Sequence, residues 1–108
     1  MKWVSALVAA VAASVLMPAP AIADPDTDFA NELHTYGIYG QRDYNAWIGK
    51  ITCERTDRGV DKDAYASAKF VGDNLAHGTS TGQVWKFLAA ALRTYCPENV
   101  TRLDVAMQ

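Results

Sequence analysis

At 108 residues, with 12 acidic and 10 basic side chains, the chain is long enough for one domain and carries a formal charge of −2. With 50% hydrophobic and 20% charged residues it is too apolar for intrinsic disorder, and beyond its first stretch it is too mixed for a membrane protein. The near-neutral balance gives no electrostatic reason to expect nucleic acid as a partner.

Residues 1–23 read as a secretory signal peptide. Lys2 supplies the positive start, and Val4 to Met17 form an apolar run broken only by Ser5 and Ser14. Pro18 and Pro20 break the helix, and Ala21-Ile22-Ala23 supplies the small residues of a cleavage site. The alternative is a membrane anchor, but a spanning helix needs about 20 apolar residues and this run is shorter. The membrane is thus expected to matter only during export. Cleavage leaves Asp24 to Gln108, roughly 85 residues, a size at which burial alone stabilises weakly. Cys53 and Cys96 are the two cysteines, so an oxidising compartment offers one possible bridge. It would close a loop of about 44 residues and restrict the unfolded chain by roughly 4 kcal/mol. A metal site would call for close pairs such as C-x-x-C, and neither cysteine has a near Cys neighbour.

The remainder predicts an all-α domain over residues 24–97, followed by a tail at 98–108. The first helix begins at Asp24-Pro25, a cap residue followed by proline, with Asp26 and Asp28 at the positive end of the helix dipole. Phe29, Leu33 and Tyr36 line one stripe, and Gly37-Ile38 fits a glycine stop whose apolar residue folds back. The second helix is expected from Asp43 as N-cap to Arg58, with Trp47, Ile48 and Ile51 as its large apolar face. Ala46, Gly49 and Cys53 form a separate small-residue stripe, and Gly59-Val60 repeats the glycine stop. The third helix is expected from Asp61 to about His77-Gly78, with Ala64, Ala68, Val71 and Leu75 inward and Phe70 beside them. Gly72 weakens it by about 1 kcal/mol against Ala. The fourth is the clearest: Ser80 and Gln83 make a capping box. Val84, Phe87, Leu88, Ala91, Leu92 and Tyr95 then follow helical spacing. Cys96 ends it, and Pro97 helps stop it. Glu98 to Gln108 carries only scattered apolar residues and is expected to be short, frayed or loosely packed.

A secreted leader, Asp28-Phe29 with Leu33, Gly37-Ile38, Cys53 in a second helix, Gly59 just after it and a closing Ala91…Tyr95-Cys96-Pro97 resemble one known group. It is the small exported proteins of mycobacteria and related actinobacteria classed as domain-of-unknown-function family 732. The resemblance spans about residues 26 to 98. It implies a compact helical fold, export and a bridge between the paired cysteines, and it implies no activity. This chain departs from the group in placing aromatics at Tyr39, Tyr44, Trp47 and Trp85, where smaller or aliphatic residues are expected.

Signals for chemistry are sparse. His34 and His77 read as partly exposed polar residues, the second at a helix C-terminus. A haem or metal site would draw first on His34, Tyr36 and Tyr39, because one His or Tyr can ligate haem iron. No G-x-S-x-G elbow is present, and bridging leaves no cysteine nucleophile. Asp57, Asp61 and Asp63 bunch beside Arg55, Arg58 and Lys62, which reads as a solvated, self-neutralising junction. Asn99-Val100-Thr101 has the form of a glycosylation sequon, incidental in a bacterial host. The aromatics either fill gaps left by Ala and Gly or present a binding patch, since Trp and Tyr are common interface anchors.

The resulting expectation is a compact four-helix domain with one disulfide, preceded by a cleavable signal peptide. It is expected to be no enzyme and to need no cofactor. Its expected role is a secreted interaction module that meets an envelope or host protein through Tyr39, Tyr44, Trp47 and Trp85. The alternative is a small carrier holding a lipid or haem between its helices, with His34 and Tyr36 as ligand contacts. The first predicts an exposed apolar patch, the second an enclosed cavity of a few hundred Å³.

Overall fold

The computed structural model describes residues 24–106, and the expected signal peptide at 1–23 lies outside them. Asp24 opens α1 (Pro25–Thr35) by accepting the Asp26 N–H at 3.1 Å, and Pro25 needs no partner for a donor it lacks. Gly37, at φ 76°, ends it: the Ile38 N–H reaches the Leu33 carbonyl and the Gly37 N–H that of His34, both at 3.0 Å. Ile38 folds back and is buried.

α2 (Arg42–Asp57) begins earlier than expected. Gln41 is its N-cap, and the Asn45 N–H already bonds the Gln41 carbonyl. Asp43 therefore sits inside the first turn, its carboxylate turned towards Arg42. Its buried face also differs from the expected one. Asn45, Ile48, Gly49, Thr52, Cys53 and Thr56 point inward with Ala46, whereas Trp47 is exposed and Ile51 half-buried. Trp47 stands about 100° round the helix from Ile48, and Thr52 and Thr56 serve as core residues by returning their hydroxyls to the Ile48 and Cys53 carbonyls.

α3 (Ala64–Asn74) is shorter than expected at both ends. Asp63 is its cap, accepting the Ala66 N–H at 2.9 Å. The expected solvated junction is overturned at Asp61, which is only 2% exposed. Arg55 approaches its carboxylate with Nη2 at 2.8 Å and Nε at 3.1 Å, and the Ser67 hydroxyl donates at 3.0 Å. Burial of the charge is tolerable because an ion pair and a hydroxyl take the place of water. The Gly59 stop keeps the expected backbone bonds, but Val60 stays exposed and Asp61 goes inside instead.

α4 (Thr81–Tyr95) carries both bonds of the Ser80–Gln83 capping box. It buries Val84, Phe87, Leu88, Ala91 and Leu92 as its spacing predicts, together with Ala90. Phe29 meets Phe87 and Tyr95 edge to face, at centroid distances of 5.2 and 5.3 Å. Gly49 makes room for this cluster: a Cβ there would lie 2.9 Å from the Tyr95 ring. The Cys53–Cys96 disulfide, Cα atoms 5.8 Å apart, ties the middle of α2 to the end of α4.

The tail does not fray over its described part. A 3-10 turn (Pro97–Asn99) leads to the short α5 (Arg102–Ala106), and Val100 and Leu103 pack on the core. Asn99 donates to Thr56 Oγ1 and Asp57 Oδ1, both at 2.8 Å, and Arg102 Nη2 donates to the Thr56 carbonyl at 3.1 Å. Scattered apolar residues suffice because polar side chains fasten the segment to the Thr56 carbonyl and to the Thr56 and Asp57 side chains at the end of α2. The described residues thus form an all-α fold of four main helices, extended by these two short turns.

Candidate functional site

Two helices stop early on the same side of the molecule, and the loops after them face each other. Between the α1–α2 loop and the α3–α4 loop lies an open cleft of about 700 Å³. Ile38, Tyr39 and Gly40 form one wall, and Leu75, Ala76, His77 and Gly78 the other. Tyr44 and Asn45, from the start of α2, also line it. The Tyr44 hydroxyl donates to the Asn74 carbonyl at 3.1 Å, tying α2 to the end of α3. Gln83 fixes the other loop by donating to the Tyr36 carbonyl at 3.0 Å while its oxygen completes the capping box. Among the described residues no Asp, Glu, Lys or Arg lines this cleft, in a chain in which 20% of residues are charged.

The polar groups of the cleft are partly unused. Asn45 is only 5% exposed; its Nδ2 donates to the Tyr39 carbonyl at 3.4 Å, and its Oδ1 accepts from no donor among the described residues. That oxygen is not sealed off, because no fully buried side-chain polar atom lacks a partner. Asn74 has the same asymmetry: Nδ2 donates to the Phe70 carbonyl, and Oδ1 has no described donor. The backbone N–H groups of Tyr39, Gly40, His77 and Gly78 likewise have no acceptor among the described residues. Residues lining the cleft thus carry both unpartnered donors and unpartnered acceptors.

Of the aromatics singled out by sequence, Tyr39, Tyr44 and Trp47 gather at this end of the fold. Tyr39 is 69% and Trp47 53% exposed, and the Tyr44 and Trp47 rings are 6.1 Å apart on successive turns of α2. Trp85 lies elsewhere, edge to face with Tyr65 at 5.4 Å beside a shallower groove of about 340 Å³. His34 rests against Tyr39, with ring centroids 5.2 Å apart, outside the cleft lining. Tyr36 does not join it at a common ligand position: its hydroxyl donates to Glu32 Oε2 at 2.6 Å, and Lys86 lies over its ring. Asn45, Asn74 and His77 complete the cleft and were not read as a site from sequence. Their signal was weak: two asparagines and a histidine within five residues of Gly40 or Gly78.

The charged groups are spent on bracing. Arg93 donates to Glu32 at 2.7 Å. Burial opposes ionisation of Glu32, but the hydrogen bonds from Arg93 and Tyr36 outweigh it and hold its carboxyl below the usual range. The Glu32 hydrogen bond, with burial, raises Tyr36. The Tyr95 hydroxyl donates to Asp26 at 2.8 Å, and this bond chiefly lowers Asp26, with Lys50 assisting at 3.1 Å. Burial foremost, then Asp26, pushes Tyr95 strongly up. No group of three or more His, Cys, Asp or Glu placed to hold a metal ion occurs among the described residues. None of their helices is long and apolar enough to cross a membrane. The disulfide points to a non-cytoplasmic environment.

Comparison with known proteins identifies the family. A family model described as "Protein of unknown function (DUF732)" matches residues 25–98. Two relatives from Mycobacterium tuberculosis are 55% identical over 95 residues, covering 87% of this chain and 85% of theirs. They are "Uncharacterized protein MT0585" of strain CDC 1551 / Oshkosh and "Uncharacterized protein Rv0559c" of strain ATCC 25618 / H37Rv. No solved structure matches. The matched segment runs from the first helix through the second bridged cysteine, and the chain belongs to the DUF732 family of proteins of unknown function.

Proposed function

We propose that the mature chain is an exported, non-catalytic binding module that engages a component of the cell envelope or its surroundings. The observation that carries this reading is the exposed run Tyr39, Tyr44 and Trp47 at an open cleft with no Asp, Glu, Lys or Arg among its described lining residues. Rigid aromatic rings present large contact area at small entropic cost, and a protein that leaves several of them in water at one end has a use for them there. The cleft lacks carboxylates to act as an acid–base pair, and the bridge occupies both thiols, which favours binding over catalysis. An open cleft between loops also suits a surface partner better than a lipid or haem enclosed between helices.

Export rests on the leader-like segment 1–23 and the buried disulfide. The test is co-sedimentation of the secreted, oxidised chain with isolated cell envelope from the native host. Wild type is expected in the pellet and Tyr39→Ala/Trp47→Ala in the supernatant. A wild-type protein that stays wholly in the supernatant, or a double variant that pellets equally well, refutes the reading.

A further inference from the structure

The cleft specifies its occupant more closely than a general binding role does, and this step rests on that role. We propose that the cleft between the α1–α2 and α3–α4 loops binds a neutral carbohydrate, stacked on Tyr39 and Tyr44 and hydrogen-bonded to Asn45.

Three observations carry it. The first is charge. Among the described residues no Asp, Glu, Lys or Arg lines the cleft, so a charged ligand would lose water with no carboxylate, ammonium or guanidinium there to replace it, whereas a neutral ligand avoids that cost. The second is the buried amide. Asn45 is nineteen-twentieths buried, yet its Oδ1 has no donor among the described residues. Reversing the amide would not relieve this, because it would set Oδ1 against the Tyr39 carbonyl oxygen that Nδ2 now contacts. Because that oxygen is not sealed off, it can accept an incoming O–H or N–H in place of water. The third is the mixture of unused groups. The lining residues carry unpartnered acceptors, the Asn45 and Asn74 side-chain oxygens, and unpartnered donors, the backbone N–H groups of Tyr39, Gly40, His77 and Gly78.

A sugar hydroxyl both donates and accepts, so one ligand type satisfies both sets. A proline-rich peptide, the other common guest of aromatic grooves, presents carbonyl acceptors but few donors and would leave the Asn45 oxygen unpaired. The apolar C–H face of a sugar ring fits against an exposed tyrosine, and Tyr39 is 69% and Tyr44 43% exposed. A cleft of about 700 Å³ is in the size range of small-ligand sites and has room for a short oligosaccharide. Trp47, adjoining Tyr44, would extend the stacking surface beyond the cleft for a longer chain.

The test titrates the oxidised, secreted chain with neutral oligosaccharides of glucose, mannose, galactose and arabinose, followed by NMR and calorimetry. The expected result is saturable binding of at least one of them, with shifts at the Asn45 side-chain amide and the backbone amides of residues 39–40 and 77–78. Tyr39→Ala, a surface change, should weaken it about five- to tenfold. Asn45→Leu should abolish it, with the melting temperature read in parallel. In the sedimentation assay, periodate oxidation of the envelope should release the protein and proteolysis of the envelope should not. Pelleting that survives periodate but not proteolysis, with no oligosaccharide bound, overturns the carbohydrate proposal and leaves the binding role standing. Absence of binding to envelope and oligosaccharides alike overturns both. Oligosaccharide binding unaffected by Tyr39→Ala and shifting other amides overturns the placement in this cleft.

Discussion

The strongest structural commitment of this fold is the burial of Asp61, and its removal gives a quantitative test. The carboxylate is 2% exposed and receives Arg55 Nη2 at 2.8 Å, Arg55 Nε at 3.1 Å and the Ser67 hydroxyl at 3.0 Å. Asp61→Ala strands both partners. Deleting one member of a buried ion pair costs about 3–5 kcal/mol, and the lower end applies because the Arg55 side chain is 33% exposed and can recover some water. Ser67, 1% exposed, then loses its acceptor, which costs about 1 kcal/mol more. The sum is about 4 kcal/mol, a large fraction of the stability of a domain this size, and corresponds to a fall of roughly 15–30 °C in melting temperature. Asp61→Asn, which retains volume and one acceptor, should cost about half as much. Ser67→Ala should cost about 1 kcal/mol. The assay is urea unfolding of the oxidised proteins, compared at constant slope so that differences in midpoint report stability. A loss below about 1 kcal/mol for Asp61→Ala would refute the argument, because it would mean the carboxylate is solvated in the folded protein.

Other consequences are more local. Asp26 and Glu32 are held below their usual range, so the stability they contribute is complete above the ordinary carboxylate pKa and is lost as pH falls through their depressed values. The melting temperature should drop steeply on acidification, and Asp26→Asn/Glu32→Gln should flatten that dependence. Replacing Cys53 and Cys96 by Ser should cost roughly 4 kcal/mol and speed proteolysis of the secreted chain; an unchanged melting temperature would count against the estimate. Gly49→Ala should destabilise by about 1–3 kcal/mol, opposite in sign to the usual helical preference, because the new Cβ falls 2.9 Å from the Tyr95 ring. Trp47→Ala, at a position 53% exposed, should leave the urea midpoint within about 0.5 kcal/mol of wild type.

What the sequence made legible divides by chemistry. α4 announces itself because its inward residues are large and apolar and its cap is a Ser–Gln box. The ends of α1 and α2 are readable because a left-handed glycine is a local signal, independent of the rest of the fold. α2 misleads because its inward face carries Asn45, Thr52 and Thr56, while its largest side chain, Trp47, faces water. Hydrophobic periodicity cannot register a threonine that has returned its hydroxyl to the helix, nor an asparagine that serves a loop. Asp61 is hidden for a related reason. Beside Arg55, Arg58 and Lys62 it looks like one of several surface charges, and only the tertiary position of Ser67 and the fork of Arg55 select it for burial. The aromatic end of the site was visible as composition. The cleft itself was not, since it arises where helices stop and two neutral loops meet.

This division also explains how so small a domain keeps an open cleft without collapsing it. The ion pairs are placed away from it: Arg42 with Asp24, Lys50 with Asp26 and Arg93 with Glu32 join distant parts of the chain, Arg55 with Asp61 braces the α2–α3 turn, and none of these residues lines the cleft. The disulfide is remote as well. Cys96 follows the last turn of α4 whereas Gln83 sits in its first, a separation of about 20 Å along the helix at 1.5 Å per residue. The cleft end is held instead by neutral hydrogen bonds, Tyr44 to Asn74 and Gln83 to Tyr36. Such bonds are insensitive to salt and to moderate pH, unlike the bracing pairs. Binding at the cleft should therefore persist in high salt until the helices themselves let go. Loss of binding should coincide with unfolding rather than precede it.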